Sequence, residues 1–431
     1  MNDGLYGFPA PRVEDDPQLP PSWRHCLLFT NKVPLTNNLR TPPNVYHLGV
    51  ACWGRGGRAE NVQGHGGGGA GFCFIVLDTR PGELLPEMIF EKNGDTRFGS
   101  LMIAGAGKDA NPNRPGVGGQ AQLFIDNAYG MIASGGRGGK GGVKKLPGSI
   151  NHLVAGGGGG AAGSFYGEGG NGGNVVDSIF MNENTICATS ASGGGFGGDG
   201  VDSGPGGAAP GGSGVYHSAL SRTLSQGGKP PKIWKRDSGI PMWGLGGGGG
   251  GGTCSAGGQG RLKSSHETLS SGAQGGSGIN GRGGMGAKST CPAHDGISYP
   301  GEDKHGFLAL ANLRLSGGGG GGGNEDFKNG GHGGPGAGGG GACASDPENQ
   351  AGGGRGGTGG IGGGGGGAAM GINKIELMSF RGGGSLFGGG GGGSVSAIES
   401  KPGVCMLGGG GQGGFLGKPV EASPGCIILY W

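Results

Sequence analysis

The chain reads Gly135-Gly136-Arg137-Gly138-Gly139-Lys140-Gly141-Gly142-Val143, so pairs of glycine alternate with one other residue. The same period of three recurs at 169–174, 330–335 and 353–361. A polyproline-II-type backbone has three residues per turn and rises about 3.1 Å per residue, so every third side chain lies on one edge. Because glycine has no Cβ, the other two edges are bare and allow close approach. The repeat therefore predicts laterally packed polyglycine helices.

Uninterrupted glycine runs complete this pattern, since glycine supplies 124 of the 431 residues. The N–H and C=O groups of a buried run have no side chains to bond, so they need neighbouring backbones or water. Ordering glycine also costs more backbone entropy than ordering any other residue. We therefore expect apolar strands to anchor the bundle. We expect the mid-run glycines to be structural, namely Gly248, Gly320, Gly364 and Gly390.

Short apolar segments between the glycine runs predict β-strands. Residues 45–53 alternate, with Tyr46, Leu48, Val50 and Cys52 on one face of a half-buried strand. Residues 72–79 are apolar enough for a buried strand, which the turn at 80–83 would end. The apolar C-terminus predicts a docked strand. Further apolar segments are 98–104, 123–132, 178–188, 307–315, 372–380 and 404–407.

These patterns together predict a mostly irregular or all-β fold. Its interior would be a bundle of polyglycine-II helices framed by short β-strands, with little or no α-helix. Residues 1–40 differ from the rest, because they hold two glycines, many prolines and the acidic run Glu14-Asp15-Asp16. We expect an attachment arm at 1–40 and one glycine-rich, strand-framed domain at 41–431.

Composition excludes several classes of protein. A net charge of +3 gives no strong steering toward nucleic acid or membrane. The longest apolar run, 72–77, is too short to span a bilayer, and residues 1–16 show no signal peptide. Nine cysteines without a Cys-x-x-Cys pair predict free thiols and synthesis in a reducing cytoplasm.

No sequence motif predicts an enzyme, a cofactor or a metal site. Residues 105–108 read Gly-Ala-Gly-Lys, but a phosphate-binding loop would need glycine at position 102 and serine or threonine at position 109. Cys291 and His294 have no second cysteine or histidine pair at metal-ligand spacing. The scattered histidines form no assignable nucleophile–base pair.

An ordered series of segments resembles a known family. The series is Thr41-Pro42-Pro43-Asn44-Val45, then 66–71 before a strand that ends in Pro81-Gly82-Glu83, then Phe98-Gly99-Ser100-Leu101, glycine islands, and Pro424-Gly425-Cys426-Ile427-Ile428. It resembles the glycine-rich domain of bacteriophage tail and tail-fibre proteins. The islands are also similar to those of the distal tail-fibre adhesins of T-even-like phages, whose runs form a polyglycine-II bundle.

The resemblance covers residues 40–431 and implies a function. It implies a virion protein of the tail or fibre tip, made in the host cytoplasm, that binds a bacterial surface receptor, either protein or polysaccharide. The arm at 1–40 would bind other tail proteins, and a homotrimer is expected because phage fibres are commonly three-fold. No nucleic-acid partner and no membrane insertion are implied. The chain departs from the family where 58–63 interrupt the first island, and it has no long fibre shaft.

Loops between glycine runs are the expected receptor-binding sites, because loops on a rigid scaffold carry function. Aromatic and arginine side chains anchor interfaces most strongly, although the same rings could pack between glycine helices. The segment 215–245 is the first choice because it combines two tryptophans with several cations. The candidate residues are Phe165, Tyr166, Tyr216, His217, Trp234, Lys235, Arg236, Trp243 and Tyr299.

Three other interpretations stay open at this point. Glycine-rich chains are often flexible linkers, although serine is not enriched beside these runs. Arg-Gly-Gly occurs five times, which is typical of disordered RNA-binding proteins, although here the sites are spread along the chain. A purely structural glycine-rich protein is the third alternative.

Overall fold

The computed structural model describes residues 25–30, 38–60, 63–125, 130–145, 151–164, 168–175, 179–181, 185–188, 191–195, 329–334, 336–342, 353–360, 362–367, 369–370, 372–373, 379–380, 389–392, 395–396 and 425–431. Within these residues the chain forms β-strands and no helix, in agreement with the expectation of little α-helix. The strands are β1 Cys26–Thr30, β2 His47–Trp53, β3 Phe72–Asp78, β4 Met88–Phe90, β5 Thr96–Phe98, β6 Met102–Ala104, β7 Ala121–Leu123, β8 Gly130–Ala133, β9 Gly142–Lys145, β10 Asn151–Ala155, β11 Ile179–Met181, β12 Thr185–Ala188, β13 Gly353–Gly354, β14 Ala369–Met370, β15 Ile372–Asn373, β16 Ser379–Phe380, β17 Val395–Ser396 and β18 Cys426–Tyr430.

The first sheet joins the two ends of the described chain. Its five strands are antiparallel and lie in the order β1-β18-β2-β3-β8. The strand β18 lies between β1 and β2, so Ile428 pairs with Leu28 on one side and with Ala51 on the other. Every residue of β18 is buried. The prediction of a docked C-terminal strand is therefore confirmed.

The hydrophobic core lies between this sheet and a second, four-stranded sheet. The second sheet has the antiparallel order β4-β5-β6-β7. Because alternate residues of a strand face the same side, β2, β3 and β18 each contribute every second residue to the core. The core residues from the first sheet are Leu48, Val50, Cys52, Cys73, Ile75, Ile427 and Leu429, and those on the opposite side include Met88, Phe98 and Met102.

Two further sheets are built from short strands. One has the order β13-β14-β10-β17-β16, with β9 paired to β10, and the other has the order β11-β12-β15. All of these pairs are antiparallel. The strand β10 leads directly into the glycine run at 156–160.

The two strands predicted first from the sequence are present with small differences. Tyr46 precedes β2 and is 59% exposed, whereas Leu48 is fully buried as expected. The other face of β2 is also buried, since Ala51 is fully buried and Trp53 packs on Phe72. This strand is therefore buried on both faces and not half-buried as expected. The turn after β3 is confirmed by the hydrogen bond from the N–H of Glu83 to the carbonyl oxygen of Arg80 and by the positive φ of Gly82.

Several predicted single strands are pairs of strands. Residues 98–104 hold the end of β5, a turn at Gly99 with φ of 52°, and β6. Residues 123–132 likewise hold the end of β7 and most of β8. Apolar composition marks these segments but does not show that each contains parts of two strands. The predicted segments at 307–315 and 404–407 lie outside the described residues.

The region assigned to the N-terminal arm contains one described strand. Residues 26–30 form β1, which is an edge strand of the first sheet and pairs along its whole length with β18. His25 stacks on Trp431 next to this pair, with ring centroids 5.8 Å apart. This part of the arm is therefore joined to the sheet.

Candidate functional site

Glycine segments continue directly from the paired strands. Beyond β2 and β3, the first hydrogen bond joins the N–H of Gly54 to the carbonyl oxygen of Gly71, at 3.3 Å. The next joins Gly57 to Gly68, at 2.7 Å, three residues further along each segment. Along each glycine segment, every third residue is thus hydrogen-bonded to the same neighbouring segment. The residue pairing of the two strands continues into the glycine segments without a shift. The same continuation occurs beyond β6 and β7, at Lys108 to Val117, and beyond β3 and β8, at Gly66 to Gly139.

The run 64–71 is the centre of a lateral hydrogen-bond network. Three successive amides, at Gly66, Gly67 and Gly68, donate to the carbonyl oxygens of Gly139, Gly391 and Lys108, at 2.9, 3.0 and 3.1 Å. These acceptors belong to three different segments. Carbonyl oxygens of the same run accept N–H groups from three more segments, at 54–57, 116–119 and 157–163. Six segments therefore surround this run.

The six surrounding segments also bond to one another and close a ring. Each one donates to, or accepts from, the segment on either side of it. These bonds are Gly107 to Arg55, Lys108 to Val117, Gly135 to Gly119, Gly136 to Ala161, Gly390 to Gly160 and Gly391 to Gly57. The amides of Gly66 to Gly69 and of Gly71 thus all donate to backbone carbonyl oxygens, as buried glycines without side chains require.

A second run, 156–163, has a similar environment. Its amides donate to the run 64–71 and to the segments 170–173 and 362–365. Its carbonyl oxygens accept N–H groups from segments that include Gly139, Gly194 and Gly390. Buried glycine segments therefore bond to neighbours on several sides.

Close packing in this network leaves no space for a side chain at many of its glycines. A Cβ atom placed on Gly364 would lie 1.9 Å from the carbonyl oxygen of Gly159, and one placed on Gly390 would lie 2.0 Å from that of Gly67. Real Cβ atoms essentially never come within 3.0 Å of such atoms. These two glycines were named as structural from the sequence. The other two, Gly248 and Gly320, lie outside the described residues.

In the described Gly-Gly-X repeats of known burial, the third residue is exposed or partly exposed. Arg137 and Lys140 are exposed, whereas Gly138 and Gly139 between them are buried. Asn171 is exposed in the same way on the neighbouring segment. Functional side chains of this region are therefore limited to its edges.

A recurrent pair of hydrogen bonds connects these edge residues. Asn171 Oδ1 accepts the amide N–H of Arg137, and Gly172 donates its own N–H to the carbonyl oxygen of Arg137, both at 2.8 Å. We call this pair the edge clasp. It supplies an acceptor for an outward N–H that would otherwise depend on water. Four further clasps join Asn174 to Lys140, Asn329 to Arg355, His332 to Thr358 and Asp109 to Arg58.

Trp53 joins the first sheet to the glycine network. Its indole Nε1–H donates to the carbonyl oxygen of Gly163 at 2.9 Å in a buried environment. Its ring packs on Phe72, with centroids 4.6 Å apart. Trp53 is only 3% exposed, so a strand residue fixes the position of a glycine segment.

A buried histidine lies where three segments meet. His65 Nδ1 accepts the amide N–H of Gly141 at 3.0 Å, so this nitrogen carries no proton. Burial lowers the pKa of His65, the charge of Lys140 lowers it further, and Glu60 opposes the shift. The neutral imidazole is therefore the form that fits this site.

Three cysteines of the core are free thiols. Cys52, Cys73 and Cys426 are buried and form no disulfide. Burial raises the pKa of Cys73 to about 12 and raises the pKa values of Cys52 and Cys426 as well. The prediction of free thiols is confirmed for these three residues. Because the thiolate is the reactive form, we expect them to be inert.

The predicted receptor-binding residues are outside the part of the chain that the structure describes. They are Phe165, Tyr166, Tyr216, His217, Trp234, Lys235, Arg236, Trp243 and Tyr299. The sequence carries no signal that marks the clasp acceptors, such as Asn171 and Asp109. The repeats Gly-Gly-Asn and Gly-Gly-Arg have the same period of three residues. This period does not indicate which segments lie next to each other, so it cannot pair an asparagine with its arginine.

No family model, no curated protein and no solved structure matches this chain. No group of His, Cys, Asp or Glu side chains within the described ranges could hold a metal ion. Those ranges also contain no helix with the length and apolar character that crossing a membrane requires.

Proposed function

We propose that the chain is a structural component of a bacteriophage tail or tail-fibre tip, and that it binds the bacterial surface without catalysing a reaction. Its glycine segments form a polyglycine-II bundle framed by the β-sheets. Loops between the segments, together with exposed edges, contact the receptor. The arm at 1–40 attaches the domain to other tail proteins, and the assembly is a homotrimer within the virion.

The closed ring around the run 64–71 is the observation that carries this proposal. A backbone with three residues per turn has donors and acceptors in three directions, so each helix can have six neighbours. The run 64–71 has six, and its bonds to one neighbour recur every third residue, as at Gly66 and Gly69 toward the segment 136–139. Such a bundle is a rigid support that leaves side chains only at edges and in loops.

The described Arg-Gly-Gly sites support a scaffold more than a disordered RNA-binding chain. Arg137 and Arg355 each accept an N–H at the carbonyl oxygen and donate their own N–H to an asparagine. Arg55 accepts an N–H from Gly107 and pairs with Asp109 at 3.1 Å. Their positions are fixed by the backbone around them, whereas RNA-binding segments of this composition depend on clustered, freely moving arginines.

A thermal melt followed by far-ultraviolet circular dichroism tests the bundle. The purified chain should show a polyproline-II-like spectrum that disappears in one cooperative transition. A spectrum that drifts with temperature and shows no transition would contradict the bundle.

Labelling of virions tests the location. An antibody against the purified chain should bind the tail tip in electron micrographs and should reduce adsorption to the host. Replacement of residues 229–243 by a short glycine-serine loop should preserve the melt and weaken adsorption. Virions that carry no label would refute the assignment to the tail.

A further inference from the structure

Four exposed cations surround one exposed valine on adjacent edges of the glycine network. The N–H of Lys108 donates to the carbonyl oxygen of Val117 at 2.8 Å, which sets these two residues side by side. The bond from Gly138 to Gly116 sets Arg137 next to Val117 on its other side. Arg114 lies three residues before Val117 on one segment, and Lys140 lies three residues after Arg137 on the next. We call Lys108, Arg114, Val117, Arg137 and Lys140 the cationic face.

The cationic face contains four cations and no acid. None of its four cations forms an ion pair with any residue in the described ranges. Asp109 lies next to Lys108 in the sequence but pairs with Arg55 at 3.1 Å and accepts the N–H of Arg58. A surface that only keeps a protein soluble intersperses both signs of charge. The concentration of one sign on three neighbouring segments therefore indicates a binding function.

Other edges of the network have a different character. The neighbouring segment presents Glu168, Asn171 and Asn174, and the segments at 329–334 and 354–360 present mainly neutral side chains beside Arg355. The fold therefore does not require a cation at the third position of each repeat. Edge residues with short polar side chains serve the clasp equally well.

The geometry favours an extended polyanion over a single small anion. Successive edge residues of one segment are about 9 Å apart, because three residues rise by about 3.1 Å each. Segments joined by backbone hydrogen bonds lie about 5 Å apart. Buried glycines such as Gly138 and Gly139 separate the cations, so the charges form a spaced grid. A polymer with repeated anionic groups can bind several grid points at once, which raises its avidity.

We propose that the cationic face binds an anionic polysaccharide, a glycan that carries repeated carboxylate or phosphate groups. Val117, 44% exposed, provides an apolar contact at the centre of the face. None of the five residues is aromatic, so the base stacking on which single-stranded nucleic acids depend is lacking. The proposal rests on the proposed function, since it names the chemical class of a bacterial surface receptor and places its site on an edge face.

Binding of the full chain to polygalacturonate, measured by biolayer interferometry, tests the proposal. Dextran serves as the neutral polysaccharide and poly(U) as the nucleic acid. The chain should bind polygalacturonate at low salt, lose affinity as salt rises because the contacts are ionic, and bind dextran negligibly. Equal binding to dextran, or tighter binding to poly(U), would overturn the assignment to an anionic glycan.

A pair of charge reversals locates the site. The variant with Arg137→Glu and Lys140→Glu should bind polygalacturonate at least about tenfold more weakly, because two attractive contacts become repulsive. Lys92→Glu reverses an exposed lysine in the turn between β4 and β5 and should have little effect. The variant with Lys108→Gln and Arg114→Gln removes charge without adding acid and should weaken binding less.

Two results for the charge variants would contradict the proposed binding site. Lys92→Glu and the double glutamine variant each lower the net charge by two, so equal loss of binding in these two would show that only net charge matters and would refute the cationic face. Unchanged binding in both double variants would do the same. The measurement needs no virion, so a failure here is distinct from absence of the chain on the tail, which the antibody detects.

Discussion

The indole nitrogen of Trp53 and the carbonyl oxygen of Gly163 are 2.9 Å apart, although 110 positions separate the two residues in the chain. This bond connects the last residue of β2 to the last residue of a glycine run that follows β10. A sheet with a conventional apolar core is thereby fastened to a region that has almost no side chains.

Replacement of Trp53 by phenylalanine should destabilise the protein. Trp53→Phe keeps an aromatic ring against Phe72 but leaves the buried carbonyl oxygen of Gly163 without its donor, which costs about 1–3 kcal/mol. Urea unfolding measures the change. The control Tyr46→Phe alters a residue that is 59% exposed and should change the unfolding free energy by less than about 0.5 kcal/mol. Equal effects of the two substitutions would show that the bond does not stabilise the protein.

A single added side chain in the network should prevent folding. Gly364→Val would place its Cβ 1.9 Å from the carbonyl oxygen of Gly159, and backbone on both sides cannot move independently. We expect loss of the cooperative thermal transition. The control is Gly82→Asn, since no atom lies within 4 Å of that Cβ and asparagine tolerates a φ of 77°. A Gly364→Val variant that melts like the native chain would refute close packing at this position.

Removal of the edge clasp at Asn171 should destabilise the protein and expose the amide of Arg137 to solvent exchange. Asn171→Leu takes away the acceptor of the Arg137 N–H, with an expected cost of about 0.5–1.5 kcal/mol. Asn171→Asp keeps an oxygen in the same place and serves as the control. Hydrogen exchange followed by mass spectrometry should show faster exchange of the Arg137 amide in the leucine variant alone. Similar protection of that amide in both variants would contradict the clasp.

A fall in pH should lower the free energy of unfolding, because His65 becomes protonated. The pKa of His65 is lowered in the folded state from an ordinary value of 6.5, so the unfolded chain binds more protons. Its contribution to stability is therefore complete above pH 6.5 and declines as the pH falls below 6.5 toward the folded pKa. A proton on Nδ1 would also face the N–H of Gly141. Urea unfolding between pH 8 and pH 5 measures this decline.

The matched variant for this measurement is His65→Gln, which does not titrate and can still accept the N–H of Gly141. Its stability should depend less on pH over the same interval. The carboxyl of Glu83 does not interfere, because its pKa is lowered from 4.5 by hydrogen bonds at the turn after β3. Identical pH profiles for the native chain and His65→Gln would exclude His65 as the source.

The sequence predicts the local features of this structure and leaves the neighbours of each segment open. The alternation of Leu48, Val50 and Cys52 predicts the buried face of β2 because periodicity reports on one strand. The position of Gly67 beside Gly391 has no such signal. Glycine carries no side chain to specify a partner, so only the strand register and the ring closure decide which runs meet.

The cationic face likewise could not be predicted from the sequence, because its residues come from segments whose proximity the sequence does not indicate. Lys108, Val117 and Arg137 belong to three segments, and each alone resembles an ordinary solvated residue. Lys108 ends a motif that lacks the residues of a phosphate-binding loop, and Arg137 is one of five Arg-Gly-Gly sites scattered along the sequence. Their proximity becomes visible only when the hydrogen bonds set the register between segments.

The residue pairing that continues from the strand pairs into the glycine runs also limits which insertions and deletions the sequence can tolerate. Bonds to a given neighbour recur every third residue, as at Gly54 and Gly57 on β2's continuation. Insertion or loss of one residue would rotate everything beyond it and turn an edge side chain such as Arg137 toward a neighbouring carbonyl. Viable length changes within a run should therefore come in whole triplets of residues, whereas the loops that join the runs are free to change by any number. Related chains should accordingly differ in loop length far more irregularly than in run length.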